Sequence, residues 1–328
     1  MGRAVKWRFC TKTTRKERVK QRKGTSLRDS TITERTQERY FLGLQKLIPV
    51  MAGVAALEHL DVAVSDWVEL SWSKGATLGS VSDALCGLHH FEPWTRKQLY
   101  HTWKLFSAWR KLEGPARAPP LTASIVSAMA NYAISHRDII FAALILLGFY
   151  GLLRTGENFQ LRACDILIGK HDIIISLPNT KSGTRNNAAE MVQLHDHMTL
   201  ETVREVILLR KATNNARTPL WDYSGQAFRD KFAHHLRRFH LANHCFRPYS
   251  MRRGGATHLF QATGSMETVM LKGRWNSPKV AKIYISDALS HLPSMTFTNT
   301  ARKMLKLWNP LSTHSMGQVR SRGDSDSE

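Results

Sequence analysis

Residues 247–264 read RPYSMRRGGATHLFQATG. Arg252 and Arg253 stand at a predicted helix start, and Gly254-Gly255 behind them lets another backbone approach closely. On its own the glycine pair marks no more than a tight helix–helix contact. Upstream, residues 151–166 read GLLRTGENFQLRACDI, where Arg154 follows the most apolar run of the chain and Glu157 lies three residues on. A guanidinium beside a buried run is costly without an anionic partner. Either an Arg154–Glu157 pair stabilises a turn, or Glu157 holds Arg154 ready for a phosphate. Downstream, residues 271–286 read LKGRWNSPKVAKIYIS, with Trp275 and Tyr284 nine residues apart across a turn at Asn276–Pro278. Aromatics beside a basic stretch commonly serve as core or interface residues.

Around these segments the composition narrows the function. The chain has 328 residues, 47 Lys plus Arg against 26 Asp plus Glu, and a net charge of +21. At roughly 150 residues per domain this length predicts two domains. The excess charge speaks against an ordinary metabolic enzyme and for a polyanionic partner, most simply nucleic acid. With 42% hydrophobic residues the chain is not mainly disordered. Cys10, Cys86, Cys164 and Cys245 are scattered without a CxxC, which argues against a disulfide framework or a paired-thiol zinc site. His234, His235, His240, His244 and Cys245 cluster, but their spacing matches no standard ligand pattern. A basic helix with Arg237 and Arg238 on DNA, or a solvated face, accounts for that stretch better. The longest apolar run, Ile139 to Leu153, falls short of the about 20 residues that span a bilayer. It reads as a buried core helix, and the polar, basic N-terminus does not read as a secretory signal.

The predicted organisation runs as follows. Residues 1–30 form a disordered basic arm. Residues 31–114 are all-helical, a bundle of four or five helices. One starts near Thr33 and carries Tyr40, Leu44 and Leu47; another, Thr95 to Leu112, carries Leu99, Trp103, Phe106 and Trp109 on one face. Residues 115–121 form a Pro-rich linker within GPARAPPLT, and Thr122 N-caps the helix that follows. Residues 122–300 are mainly helical with one β island, Asp165–Leu194, whose DIIISLP and EMVQL flank the turn-rich NTKSGTRNN as a hairpin. Residues 301–328 are a C-terminal segment and polar tail.

Together, the order and spacing of these segments resemble the tyrosine recombinase (phage integrase) family. Leu153-Arg154-Thr155-Gly156-Glu157 resembles the motif of its first active-site arginine, and Lys181 in LPNTKSGT resembles its hairpin lysine. Tyr249-Ser250-Met251-Arg252 resembles its H-x-x-R box, Trp275 in GRW its G-H or G-W position, and Tyr284 its nucleophilic tyrosine. The motifs cover about residues 120–290. One departure stands out: Tyr249 replaces the family's histidine, and an unperturbed tyrosine has a pKa of about 10.

The resemblance implies a mainly α fold with a small antiparallel β-sheet, a helical core-binding domain preceding the catalytic domain. It implies cleavage and rejoining of double-stranded DNA by transesterification. A tyrosine hydroxyl, Tyr284, attacks phosphorus, expels the 5′-hydroxyl and leaves a 3′-phosphotyrosine. Arg154 and Arg252 then clamp the phosphate, Glu157 supports Arg154, Trp275 adds an indole donor, Tyr249 donates to a phosphate oxygen, and Lys181 is the general acid. The covalent bond conserves the energy of the phosphodiester, so no cofactor and no metal are expected; the sequence has no GxxxxGK[ST]. The implied partners are DNA and three further copies in a homo-tetramer on paired recombination sites, with residues 295–310 either exchanged between protomers or packed on their own domain. No membrane partner is expected. Such an enzyme of a mobile element would work in the nucleus of a eukaryote, or otherwise in the cytoplasm on the nucleoid. Two other readings stay open: a catalytically decayed recombinase-fold DNA-binding protein, favoured by Tyr249, and a type IB topoisomerase-like enzyme.

Overall fold

Threonines start several of the helices. Thr33, Thr77 and Thr122 each turn a hydroxyl onto the amide three residues on, at 3.3, 3.2 and 3.3 Å, satisfying a donor the first turn leaves unpaired. The computed structural model describes residues 31–114, 117–177, 180, 190–212, 219–221, 224–292 and 295–309, with 15, 19, 20 and 23. The basic arm is therefore almost entirely outside the described residues, as is the polar tail beyond 309. The chain divides into two compact units between Ala116 and Arg117.

The first unit holds α1 (Glu34–Gln45), α2 (Ile48–Ala52), α3 (Leu60–Ser73), α4 (Leu78–Phe91) and α5 (Tyr100–Leu112). Leu47, Val64, Leu85, Leu88, Leu99, Phe106 and Trp109 are buried in its core. Trp103 packs partly buried against the same cluster, so the aromatic stripe faces inward. The last helix begins at Tyr100, not at Thr95 as its periodicity suggests. Pro93–Lys97 forms a separate 3-10 turn. The Asp61 carboxylate accepts the amides of His101 and Thr102 at 2.7 and 2.9 Å, and so fixes where α5 starts.

The second unit opens with α6 (Ala123–Ser135) and α7 (Ile139–Tyr150). Every residue of α7 from Phe141 to Phe149 is buried, so this helix is the centre of the core. The apolar run continues to Leu153 but the helix does not. Gly151 caps it, and Leu152 takes a left-handed φ of 47°, which turns its carbonyl out of the helix. α8 (Thr155–Gln160) leads to a three-stranded antiparallel sheet, β1 (Ile166–Ile168), β2 (Ile173–Leu177) and β3 (Glu190–Leu194), in that spatial order. Ile173 pairs with Leu194, Ile175 with Val192 and Leu177 with Glu190, which puts the alternating apolar residues on the core face. β1 adds a strand to the expected hairpin through Ile166 and Ile175.

Then come α9 (His197–Ala212), α10 (Gly225–Arg238), α11 (Tyr249–Thr263), α12 (Met266–Gly273), α13 (Pro278–His291) and α14 (Asn299–Trp308). α14 packs on α6 of its own chain. Asn131 Nδ2 donates to the Trp308 carbonyl at 2.8 Å, and the Trp308 ring meets Tyr132 edge-on at 5.1 Å. No helix among the described residues is long and apolar enough to cross a membrane.

Candidate active site

Gly254 and Gly255 position the centre of the site. A Cβ on Gly254 would lie 1.9 Å from the Leu121 carbonyl oxygen, and one on Gly255 would lie 2.0 Å from that of Phe149. Only glycine lets α11 pass between these two backbones. That approach carries Arg252 beneath the turned-out Leu152 carbonyl at the end of α7.

Arg252 is 1% exposed. Its Nη1 donates to the Leu152 carbonyl, its Nη2 to the Gly273 carbonyl, and its guanidinium lies over the Trp275 ring at 4.8 Å. Its Nε is a buried donor with no hydrogen-bond partner. Burial pushes this guanidinium down to about 9, and the neighbouring Arg274 and Arg154 add to the fall. It is still a cation at neutral pH. The adjacent Arg253, equally buried, turns elsewhere and donates to the Ala118 carbonyl. The two arginines therefore do different jobs, and Arg252 is the one among the site residues.

Arg154 N-caps α8. Glu157 reaches back from the first turn to accept the Arg154 amide at 2.8 Å, while its other oxygen pairs with the Arg154 guanidinium. Arg154 remains 32% exposed at its side chain, whereas Glu157 is buried. Burial alone raises the Glu157 carboxyl. The Arg274 guanidinium and the Arg154 amide and side chain outweigh it, so the group sits below the usual carboxylate range.

Sequence reasoning passed over Arg274. It donates to Glu157 at 2.7 Å and to the Leu152 carbonyl at 3.2 Å, and lies 3.3 Å from a Glu190 oxygen at the start of β3. It caps α12 with φ 56° and ψ 45°. Such a left-handed conformation costs a non-glycine residue about 1–2 kcal/mol. The one signal in the sequence was a charged residue at a helix end, between Gly273 and Trp275, where glycine or asparagine is preferred. Three guanidiniums, those of Arg154, Arg252 and Arg274, thus face two carboxylates, Glu157 and Glu190. Among the described residues, one positive charge is left in excess.

Two tyrosines stand against this cluster. The hydroxyls of Tyr249 and Tyr284 are in hydrogen-bond contact, and Tyr284 packs on Trp275 with centroids 4.8 Å apart. Burial raises the Tyr249 hydroxyl, with Arg252, Arg154 and Arg253 opposing, so it is a protonated donor at neutral pH. Trp275, Leu152, Ala256, Val269, Ala281 and Ile285 form a small separate core under the site. The structure therefore gathers Arg154, Glu157, Tyr249, Arg252, Trp275 and Tyr284 in one place. Lys181 lies outside the described residues.

The histidine-rich stretch of α10 does not gather. His235 is a core residue stacked on Phe141 at 4.1 Å, and burial lowers it to about 4, so it is neutral. Among the described residues no three His, Cys, Asp or Glu side chains come together as a metal site.

The sequence matches no protein-family model and no curated protein. The fold does match solved structures. One is the XerH site-specific recombinase bound to palindromic difH substrate in a post-cleavage complex: TM-score 0.57, 15% identity, covering 78% of this chain and 75% of that one. Another is the Tn1549 transposon integrase in complex with transposon right end DNA: TM-score 0.58, 12% identity, covering 88% and 97%. A helical unit, a second unit with a three-stranded antiparallel sheet, and this likeness over most of both chains agree: the chain has the tyrosine recombinase fold.

Proposed function

We propose that this chain is a site-specific DNA recombinase that cuts and rejoins duplex DNA through a 3′-phosphotyrosine bond. The observation that carries the reading is an excess of positive charge, from Arg154, Arg252 and Arg274, gathered with Tyr284, which shares the Trp275 ring with Arg252. A phosphodiester supplies the missing anion, and its non-bridging oxygens gain charge as the hydroxyl attacks. Arg154 and Arg252 are the groups to bind those oxygens, because guanidiniums present a planar fork of donors and stay charged. The Tyr284 hydroxyl gives up its proton to solvent as its oxygen forms the new bond to phosphorus, the bond to the 5′-oxygen breaks, and that oxygen takes a proton, for which Lys181 is our candidate donor. In this reading Tyr249 replaces a titrating group with a hydroxyl that stays protonated at neutral pH and is in hydrogen-bond contact with the Tyr284 hydroxyl. The scheme calls on no cofactor and no metal.

Duplex DNA as partner fits the +21 charge. It also fits a groove of about 750 Å³ in the helical unit where Arg96, Lys97, Lys104 and Lys111 surround Tyr100 and Trp103. Assembly as a tetramer on paired sites completes the proposal. The second reading, a DNA-binding protein without cleavage, has one observation in its favour: the Tyr249–Tyr284 contact ties up the nucleophile.

Arg154→Ala separates binding from chemistry. Cleavage of a nicked duplex is expected to fall about 1,000-fold, as for loss of a transition-state donor. Duplex affinity, spread over many phosphate contacts and steeply salt-dependent, should stay within about threefold. Equal loss of both would remove Arg154 from the chemistry.

A further inference from the structure

Arg274 does not sit where it does for the sake of the backbone. It holds a left-handed helix-end conformation that glycine takes freely. Its side chain, 5% exposed, reaches three other segments: Glu157 on α8, the Leu152 carbonyl after α7, and Glu190 at the start of β3. The Leu152 carbonyl is also the acceptor for Arg252, so Arg274 and Arg252 are tied to the same atom.

The division of Glu157 is the informative detail. One carboxylate oxygen takes the Arg154 guanidinium, and the other takes the Arg154 amide and the Arg274 guanidinium. Arg154 therefore meets Glu157 through a single side-chain nitrogen, and most of its five N–H donors stay uncommitted to that carboxylate. Without Arg274, the second oxygen of this buried carboxylate would still hold the Arg154 amide but would have its other lone pair open to the Arg154 fork, allowing a bidentate pair. Such a pair would satisfy Arg154 internally and draw it away from an external anion.

We propose that Arg274 is a positioning residue: by occupying one oxygen of Glu157 and tying it to Glu190 and the Leu152 carbonyl, it keeps the Arg154 guanidinium available to hold a phosphate. The inference rests on the recombinase reading for its consequence in cleavage, but not for the wiring itself.

Arg274→Gly is the decisive variant, because glycine suits the backbone. A residue that only caps α12 could be replaced by glycine without harm. Two quantities are to be read in the full-length protein. One is the single-turnover rate of adduct formation on saturating nicked duplex. The other is the rate at which phenylglyoxal labels Arg154, followed by peptide mass spectrometry. The expected result is a cleavage rate down about 100-fold with duplex affinity within about threefold. Labelling of Arg154 should slow severalfold as Glu157 closes on it. Arg274→Lys keeps the charge but cannot hold both carboxylates, so its cleavage rate should fall about tenfold. That variant decides the matter if Arg274→Gly does not fold. Wild-type cleavage in either folded variant overturns the proposal, and so does Arg154 labelling that is unchanged or faster. Faster labelling would mean that Arg274 merely keeps the site closed. A wild-type chain that forms no adduct contradicts the recombinase reading instead, and the labelling rate alone then decides the wiring.

Discussion

Arg252→Ala is expected to lose strand cleavage and thermal stability together, which sets it apart from Arg154→Ala. Arg252 is buried and spans the Leu152 and Gly273 carbonyls while stacking on Trp275. Truncation leaves the Gly273 acceptor without this partner and opens a cavity beneath the indole. We expect a cost of about 3 kcal/mol, the scale for stranding a buried polar group and emptying its space. In a unit of this size that lowers Tm by about 6–12 °C. Cleavage should fall about 1,000-fold or more, since a cation facing the phosphate is gone. Arg252→Met separates the two effects. It restores volume without charge, and so removes the cavity part of the cost while the Gly273 acceptor stays without this partner. It should recover much of the Tm and none of the cleavage. Arg252→Ala with an unchanged Tm, or with cleavage within about tenfold of wild type, would contradict the assignment.

The largest expected effect on folding is that of Gly255→Ala. The added methyl carbon would meet the Phe149 carbonyl oxygen at 2.0 Å, and that oxygen belongs to the most buried helix of the chain. Neither backbone can yield without disturbing the core, so the cost is about 3 kcal/mol or more, at the upper end for overpacking. Gly156→Ala is the control. Nothing lies within 4 Å of its added Cβ, and it sits inside α8. Alanine there should be neutral or stabilising by about 0.5–1 kcal/mol. Chemical denaturation of the two variants checks both statements. A Gly255→Ala protein as stable as Gly156→Ala would mean that α11 does not lie against the end of α7 in this way.

The sequence made part of this legible and hid the rest for physical reasons. Period-two alternation in IIISL and EMVQL announced two strands, because one face of the sheet is buried and the other is not. β1 is only three residues long, too short for any alternation to show. The start of α5 was misplaced because its cap is Asp61, about 40 residues away in sequence and out of reach of local pattern. The end of α7 was hidden by composition: Leu152 and Leu153 are as apolar as the helix before them, yet Leu152 leaves it. In the site, the candidate residues came from the resemblance in order and spacing, and the structure brings Arg154, Glu157, Tyr249, Arg252, Trp275 and Tyr284 together. Arg274 could not be read that way. Its importance lies in which carboxylate it shares with Arg154, and sharing is a property of three dimensions. Tyr249 shows the same limit. A tyrosine where the resemblance leads one to expect histidine could be noticed in the sequence, but its hydroxyl contact with Tyr284 could not.

The central claim is that Tyr284 forms a covalent bond to DNA. Its most direct test is to incubate the protein with a pool of nicked duplexes, including DNA flanking its own gene, denature the mixture, and look for a protein–DNA adduct by mass. The account predicts an adduct whose DNA-bearing peptide contains Tyr284, and its complete loss in Tyr284→Phe, which still binds duplex DNA. No adduct from any duplex in the pool, despite salt-sensitive binding, would contradict the claim, as would an adduct that survives in Tyr284→Phe.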